Sequence, residues 1–174
     1  VGIYGGFSGT ETAQDQRDWQ SNTTILSGDI GKVGNNSDNC YHVFYHPATL
    51  TLSNSSILDG FTITGGNADG SGQNQYGGGM HNAFKVNFSP TVTNCTFHGN
   101  SASNGGGLYN EGGSSPDMTN CAFYANSASY GGGMYNEDSS PSITNCIFSD
   151  NAATHGAGIY NIGAPAPTIT NCIL

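Results

Sequence analysis

The segment Ser140–Asn151, which reads Ser-Pro-Ser-Ile-Thr-Asn-Cys-Ile-Phe-Ser-Asp-Asn, decides the fold together with the Gly-Ala-Gly-Ile-Tyr cluster at Gly156–Tyr160. Related versions of this unit run over Ser89–Gly107 and Ser115–Gly133, and a fourth begins at Ala166. The Cys of a Thr-Asn-Cys triplet falls at positions 95, 121, 146 and 172, so the units repeat every 25 or 26 residues. A fixed period of this length indicates a solenoid.

Each repeat combines short β-prone runs with Asn, Gly, Ser and Pro, the residues that tolerate turns and left-handed backbone. Leucine-rich repeats are excluded because the chain has only six Leu. Helical repeats are excluded by the glycine content and by the lack of an apolar 3.6-residue pattern. The sequence therefore predicts an all-β fold, a parallel β-helix (β-solenoid) with about 25–26 residues per coil and three strands in each coil.

The repeat also predicts which side chains form columns along the solenoid. An inward Cys column and an inward Phe column follow the triplet, and an Asn at the bend is expected to bond to its counterparts above and below. Met80, Leu108, Met134 and Ile159 are expected to face inward. The predicted structural ladders are Cys95, Cys121, Cys146 and Cys172; Asn94, Asn120, Asn145 and Asn171; and Phe97, Phe123 and Phe148.

Two outward columns are predicted as possible binding faces. A Thr column resembles the flat Thr arrays of ice-binding solenoids, although Thr is also a good outward strand residue. A Tyr column, with His81 beside it, could lie against sugars or another chain, or could simply stiffen the solenoid. The two faces comprise Thr93, Thr119, Thr144 and Thr170, and Tyr109, Tyr135 and Tyr160.

We interpret residues 1–174 as one continuous β-helix, since no linker or charge run divides it. Residues 1–56 are predicted to form irregular first coils with a polar loop at 8–22, and residues 57–174 to form regular coils. Ile57–Thr64 resembles the later strand–bend–strand unit, with Phe61 and Ile63 in the Cys and Phe columns.

The charge balance excludes several functions. Three basic residues stand against twelve acidic ones, for a net charge of −9. We therefore expect no nucleic-acid partner, because phosphate binding needs a Lys/Arg footprint. No apolar run approaches a membrane span, so direct membrane insertion is not expected. Val1 is not an initiator Met, and export with a removed signal peptide is the favoured interpretation.

The glycine cluster paired with Phe-x-x-Asn resembles the repeats of chlamydial polymorphic outer-membrane proteins and the wider set of bacterial right-handed β-helix surface proteins. The opening Tyr-Gly-Gly-Phe-Ser-Gly-Thr-Glu-Thr and the later Asp-Gly-Phe-Thr-Ile-Thr-Gly-Gly are similar to that wider set. The resemblance implies that the fold is a right-handed parallel β-helix and that the location is the bacterial cell surface or the secreted space, and it leaves activity open. The third glycine-cluster position departs from the chlamydial motif, which usually has Ala there.

Polysaccharide cleavage is the competing enzymatic hypothesis, because enzymatic β-helices exist. It needs a base, cationic groups and clustered carboxylates or calcium. The repeats from Ser89 onward contain no Lys or Arg, and Glu137-Asp138 is an isolated acidic pair in a turn. We therefore predict a protein that is not an enzyme and needs no cofactor or metal.

The Cys column allows three interpretations. A reduced ladder of buried thiols is favoured, since Cys behaves as a small hydrophobe. Disulfides between neighbouring coils and metal ligation are the alternatives. Cys40 lies outside the column and is the candidate for an exposed thiol.

The predicted function is a non-catalytic extracellular structural β-helix, either adhesin-like or the subunit of a head-to-tail filament. An ice- or carbohydrate-binding module and a polysaccharide-active enzyme are the alternatives. The expected partners are further copies of the chain stacked end to end, or a larger parent protein. Surface glycans or proteins are further possibilities.

Overall fold

The structure is a computed structural model that describes residues 1–50, 52–83, 89–163 and 165–174. Its strands repeat in stacked coils. The first coil contains β1 (Gly2–Tyr4), β2 (Thr24–Ser27) and β3 (Phe44–His46). The second contains β4 (Ile57–Asp59), β5 (Phe61–Thr64), β6 (Asn67–Ala68) and β7 (Met80–Asn82). The third contains β8 (Thr91–Thr93), β9 (Thr96–His98), β10 (Ser101–Ala102) and β11 (Leu108–Glu111).

The fourth and fifth coils keep the same plan. The fourth contains β12 (Asp117–Thr119), β13 (Ala122–Tyr124), β14 (Ser127–Tyr130) and β15 (Met134–Glu137). The fifth contains β16 (Ser142–Thr144), β17 (Ile147–Ser149), β18 (Ala152–His155) and β19 (Ile159–Ile162), and β20 (Thr168–Thr170) opens the sixth. Short 3₁₀ helices at Gln14–Gln16, Asn36–Asp38 and Gly72–Gln75 lie in the longer connections of the first two coils.

Corresponding strands of successive coils pair to form four sheets. Sheet A has the order β1-β4-β8-β12-β16-β20, and sheet B has the order β2-β5-β9-β13-β17. Sheet C has the order β3-β7-β11-β15-β19, and sheet D has the order β6-β10-β14-β18. Every pair of these strands is parallel, which confirms the predicted parallel β-helix.

The number of strands in a coil differs from the prediction. Sheet D is a fourth sheet, formed by two- to four-residue strands that the sequence pattern left as turns. Its strands are rich in Ser and Ala, which show no alternation of apolar and polar residues. Their extended conformation comes from pairing with the coils above and below, as in the bonds from the Ser127 amide to the Asn100 carbonyl and from the Ala152 amide to the Asn126 carbonyl.

The bend between sheets A and B explains the invariant Asn of the triplet. Asn94, Asn120, Asn145 and Asn171 have φ values of 50°, 54°, 53° and 52°, in the left-handed region that Asn adopts more readily than most residues. The bend lets inward positions continue on both sides of it. Thus Val92 on β8 and Cys95 beyond the bend are both buried.

The core is a narrow stack of apolar side chains from the inner faces of sheets A, B and C. Phe97, Phe123 and Phe148 are the largest repeated component, with ring centroids 4.6 and 4.7 Å apart and planes within 2° of parallel. The glycine cluster passes directly over them. A Cβ at Gly107 would lie 2.5 Å from the Gly133 carbonyl oxygen and 3.0 Å from the Phe123 ring, so only glycine fits there.

The first coil differs from the later ones in its long connections. Residues 5–23 join β1 to β2, and residues 28–43 join β2 to β3. Even so, Ile63 aligns with Phe97 across β5 and β9, so Phe61 and Ile63 occupy the Cys and Phe columns as predicted. The ladder of parallel strands therefore continues from β1 to β20.

We predict that Phe123→Ala lowers the free energy of unfolding by about 3–5 kcal/mol, because it opens a cavity between two stacked rings. The adjacent Tyr124 is 39% exposed, and Tyr124→Ala should cost less than about 1 kcal/mol. Urea unfolding followed by circular dichroism measures both values. If Phe123→Ala does not fold, Phe123→Leu should lie between the two. Equal losses for Ala at both positions would contradict the inward Phe stack.

Candidate binding surfaces

The Cys column lies inside the solenoid. Cys95, Cys121 and Cys146 are buried and Cys172 is half-buried, and all of them are free thiols. Each thiol donates to the backbone carbonyl two residues earlier, as from Cys95 Sγ to the Thr93 oxygen at 3.2 Å. Burial raises the pKa of Cys95 to about 12 and also raises the pKa of Cys121. Cys95 and Cys121 therefore stay protonated at neutral pH, which suits a packing role. The hydrogen bond with Cys121 is the main cause that lowers the pKa of Cys146 to about 7.

Cys40 is half-buried in the connection between β2 and β3. Its sulfur lies 2.7 Å from the position that a Cβ would take at Gly28. Burial raises the pKa of the Cys40 thiol as well. It is therefore less accessible than the exposed thiol expected from the sequence.

The bend asparagines form a ladder at the junction of sheets A and B. Asn120 Nδ2 donates to Asn94 Oδ1 and Asn145 Nδ2 donates to Asn120 Oδ1, both at 3.3 Å. At its lower end Asn94 Nδ2 donates to Asp59 Oδ1 at 2.8 Å. Since Asn120, Asn145 and Asn171 are exposed, this ladder borders the outer surface.

The Thr column lies on the outer face of sheet A. Thr93, Thr119 and Thr144 are half-buried and Thr170 is exposed, and they stand in strict register. A second outward column runs beside it and is interrupted by the acidic Asp117; it contains Thr91, Asp117, Ser142 and Thr168. From β8 to β20 the face is regular, and Asp117 is its one charged residue; on β4, Asp59 stands in register with Thr93.

Of the two interpretations of the Tyr column, the structure agrees with a stacked ladder that stiffens the solenoid and not with an open binding face. Tyr109 is 1% exposed, Tyr135 is 7% exposed, and Tyr160 is half-buried. Their backbone positions do point outward, but the turn before each glycine cluster folds across them. Tyr76 stacks on Tyr109 at 4.7 Å, and Tyr130 packs beside Tyr160 at 5.3 Å. The rings therefore serve as a second, outer layer of packing.

Hydrogen bonding fixes this outer layer. The Tyr109 hydroxyl donates to Glu137 Oε2, two positions beyond the Tyr that stacks on it in the next coil. Tyr109 and Tyr135 stack at 5.1 Å, and Tyr135 and Tyr160 at 5.2 Å. A sugar ring cannot reach the faces of Tyr109 or Tyr135 while these contacts persist.

Sequence reasoning missed two buried amide ladders. One fills the inner face of sheet C, where side-chain amides of successive coils are 2.7–2.8 Å apart; its members are Asn82, Asn110, Asn136 and Asn161. The other lies at the end of the Phe-x-x-Asn motif, with bonds of 3.0–3.1 Å; its members are Asn100, Asn126 and Asn151. The sequence did contain the signal for the first ladder. Side chains alternate along a strand, so if Leu108 faces inward and Tyr109 outward, Asn110 must face inward again.

A second feature missed from the sequence is a cage of rings around His81, which interrupts the Tyr column in the second coil. His81 is fully buried, and neither ring nitrogen has a hydrogen-bond partner. The rings of His42, Tyr45, Tyr76 and Tyr109 surround it with centroids 5.1–6.0 Å away. Three of these rings, His42, Tyr76 and Tyr109, meet it edge to face, a geometry in which ring hydrogens point at π faces.

The cage disfavours a charged imidazole. Burial is the main cause that lowers the pKa of His81 to about 3, and proximity to His42 and His46 adds to the shift. Burial also lowers the pKa values of His42 and His46. Glu111 Oε2 is the nearest carboxylate atom, 3.9 Å from His81 Nε2. At neutral pH the cage is therefore an uncharged aromatic cluster.

Neither a metal centre nor a membrane-spanning helix is found in the described ranges. No group of three or more His, Cys, Asp or Glu side chains there is placed to hold a metal ion. No helix within these ranges has the length and apolar character needed to cross a bilayer. Lys85 lies outside the described residues.

Comparison with known proteins gives one match. The family model described as a right-handed β-helix region matches residues 32–174, more than four fifths of the chain. It agrees with the fold class and with the right-handed sense predicted from the sequence. The likeness to chlamydial proteins and the bacterial origin stay predictions. No curated protein and no solved structure matches the chain significantly.

We predict that the protein loses stability as the pH falls below about 6.5. The His81 pKa is lower in the folded chain than the value near 6.5 of an unfolded histidine, so the unfolded chain binds more protons between pH 6.5 and 3. The contribution is fully present above pH 6.5 and decreases by about 1.4 kcal/mol per pH unit below it. Urea unfolding at pH 7 and pH 5 measures the difference.

The variant His81→Phe keeps a ring in the cage and should reduce this pH dependence. His155→Phe changes an exposed histidine and is the matched control, with the wild-type pH dependence expected. An unchanged pH dependence in His81→Phe would show that His81 does not cause the effect.

Proposed function

This chain belongs to the right-handed β-helix family, and from that premise we propose that it is a non-catalytic structural protein of the cell surface or extracellular space with an adhesin-like role. The family contains both pectate lyase-like enzymes and proteins without enzymatic activity, so membership alone does not decide between them. The proposal rests on how the reactive side chains of the described residues are engaged.

One observation carries the proposal: three side chains that could act on a polysaccharide, those of Arg17, Glu137 and His81, are engaged in structural contacts. Arg17 forms an ion pair with Asp59 and donates to the Gly5 carbonyl at 3.1 Å. Glu137 accepts a hydrogen bond from Tyr109, and His81 is enclosed by rings. Cleavage of an acidic polymer needs a base and a cation at the same cleft, and these groups lie apart.

The composition of the exposed residues supports a role in binding through the outer surface of the solenoid. Outside the buried ladders the repeats present Thr, Ser, Asn and a few exposed rings, with a net charge of −9 for the whole chain. A rigid solenoid with such a surface offers a long contact area rather than a reaction centre. Partners of this surface are proposed to be glycans or proteins outside the cell, and not nucleic acid.

Self-association is a second candidate. The outermost strands of each sheet, such as β1 and β20 of sheet A, have one edge that pairs with no other described strand, and Ile169 on β20 and the nearby Ile173 are exposed. A second copy of the chain, or further coils of a larger parent protein, would pair with such edges in the same parallel manner. Electron microscopy of the purified protein over a concentration series distinguishes fibres from discrete particles.

We predict that the purified chain releases no product from polygalacturonate or from neutral polysaccharides, with or without added calcium. The measurements are the ultraviolet absorbance of unsaturated products and the appearance of reducing ends. The physical reason is that the only Arg is bound to Asp59 and is not available to hold a uronate.

Product formation that Glu111→Gln or Glu137→Gln abolishes would assign catalysis to this chain and contradict the proposal. Product that persists at the same rate in both variants is assessed on a sample repurified by a second method. Persistence after that step would also contradict it.

A further inference from the structure

The polar loop at residues 8–22 is held firmly on the first two coils. Its Arg17 side chain reaches Asp59 on β4 and the Gly5 carbonyl, and its guanidinium lies 5.4 Å from the centre of the Tyr4 ring. The Asp18 amide donates to the Gly6 carbonyl at 2.9 Å. Asn22 Nδ2 donates to the same Gly6 carbonyl at 3.4 Å, so both ends of the second half of the loop are fixed to the first coils.

This anchoring places Trp19 directly on the bend between β4 and β5. Gly60 occupies the bend with φ of 79°, and a Cβ there would lie 2.9 Å from Trp19 Cβ and from Arg17 Nη1. Any larger residue would push the loop away. The close approach of Trp19 to sheet B is thus built into the backbone.

Beside Trp19 is a cleft of about 350 Å³ on the outer surface of sheet B. This is the size of a small-molecule subsite. It is lined by Trp19, Gly60 and Phe61 and by five residues with uncharged polar side chains: Gln20, Thr23, Thr62, Asn94 and Thr96.

The indole is available for a ligand. Trp19 is half-buried, and among the described residues no ring stacks on it and no acceptor takes its N–H. This is unlike the Tyr column, where other rings cover the faces. An open indole beside hydroxyl and amide groups combines an apolar platform with hydrogen-bonding partners.

The charges around the cleft determine the class of ligand. Arg17 and Asp59 lie beneath it and neutralise each other, and Asp18 uses one carboxylate oxygen to accept from the Gln20 and Ser21 amides. Among the described residues that line the cleft, none carries a positive charge that could pair with a uronate or a phosphate. The cleft therefore suits an uncharged molecule with many hydroxyl groups and one apolar face.

The outer face of sheet B extends this surface along the solenoid. Thr62 and Thr96 are neighbours in register, and His98 stacks on Tyr124 at 5.0 Å with planes 3° apart. Tyr124 is 39% exposed, in the fourth coil. At about 4.8 Å per coil, a chain of several sugar units that starts at Trp19 can reach this second ring.

We propose that the Trp19 cleft is a binding site for neutral saccharides, with Trp19 as the stacking platform and the Tyr124 ring as a second contact for longer chains. The inference rests on the proposed adhesin-like function and names the ligand class through which such adhesion would act. The proposed contact surface for the ligand is therefore the outer face of sheet B, and not the Tyr column.

The experiment uses the single Trp of the chain as its reporter. Hexasaccharides of glucose, mannose, xylose and N-acetylglucosamine are titrated into the protein, with a hexamer of galacturonate as the charged comparison. Indole fluorescence and calorimetry are recorded together. At least one neutral hexamer should bind with a change in fluorescence, and the galacturonate hexamer should not.

Variants separate the two contacts. Trp19→Ala should lower the affinity about tenfold or more by calorimetry, and Trp19→Phe should retain part of it. Tyr124→Ala should weaken the hexamer and leave the disaccharide unchanged. Tyr130→Ala removes a ring of equal exposure, 38%, from sheet D and should bind as the wild type does. Thermal unfolding of each variant confirms that it is folded.

Binding of no neutral hexamer, or binding that Trp19→Ala leaves intact in a folded protein, would overturn the inference. Exclusive binding of the galacturonate hexamer would overturn it too. None of these results tests catalysis, whereas product release in the cleavage assay would overturn the proposed function even if the Trp19 cleft binds sugar. Failure of one can therefore be told from failure of the other.

Discussion

The structure depends on hydrogen bonds between side-chain amides at equivalent positions of successive coils. An Asn inside a solenoid is costly unless its amide is bonded, and the same residue one coil away is the partner that the geometry supplies. Asn110 donates to Asn136 at 2.8 Å and Asn136 to Asn161 at 2.7 Å, all on the inner face of sheet C. Because a slip of one residue would bury outward side chains and break every such bond, the ladder fixes the register of the coils. The stacked Phe rings and the close-packed glycine clusters then fill a core whose shape the register has already determined.

This constraint explains what could be predicted from the sequence. A residue that must match its counterpart above and below is conserved from coil to coil, so the Cys and Phe columns and the bend asparagines were visible as repeats. Sheet D was not predicted, because its Ser and Ala strands are held by backbone pairing and leave no alternating pattern. The burial of Tyr109 was not predicted either, since alternation gives the direction of a side chain and not what covers it. The covering ring, Tyr76, comes from an irregular turn.

The candidate binding features lie where the repeat is interrupted. In the first two coils His81 takes the place of a Tyr in the outer column, and the loop at 8–22 brings Trp19 onto sheet B. His81 keeps the register of the outer column beside Tyr45 and Tyr109, but the rings of His42 and Tyr76 that complete its cage come from irregular connections. The loop at 8–22 belongs to no period, so Trp19 could not be assigned a neighbour from the sequence. Both features depend on contacts between residues that are far apart in the sequence, such as the ion pair between Arg17 and Asp59. The regular coils thus form a rigid support, and the candidate binding features lie in the irregular coils.

The most direct test of this account is the exchange rate of asparagine side-chain amide hydrogens, measured by nuclear magnetic resonance. Asn110 and Asn136 are 0% and 1% exposed, whereas the bend residues Asn120 and Asn145 are exposed. The account predicts that the Nδ2 hydrogens of Asn110 and Asn136 exchange orders of magnitude more slowly than those of Asn120 and Asn145, because opening them requires separation of coils. Similar fast exchange at all four positions would contradict the claim that buried amide ladders hold the coils in register.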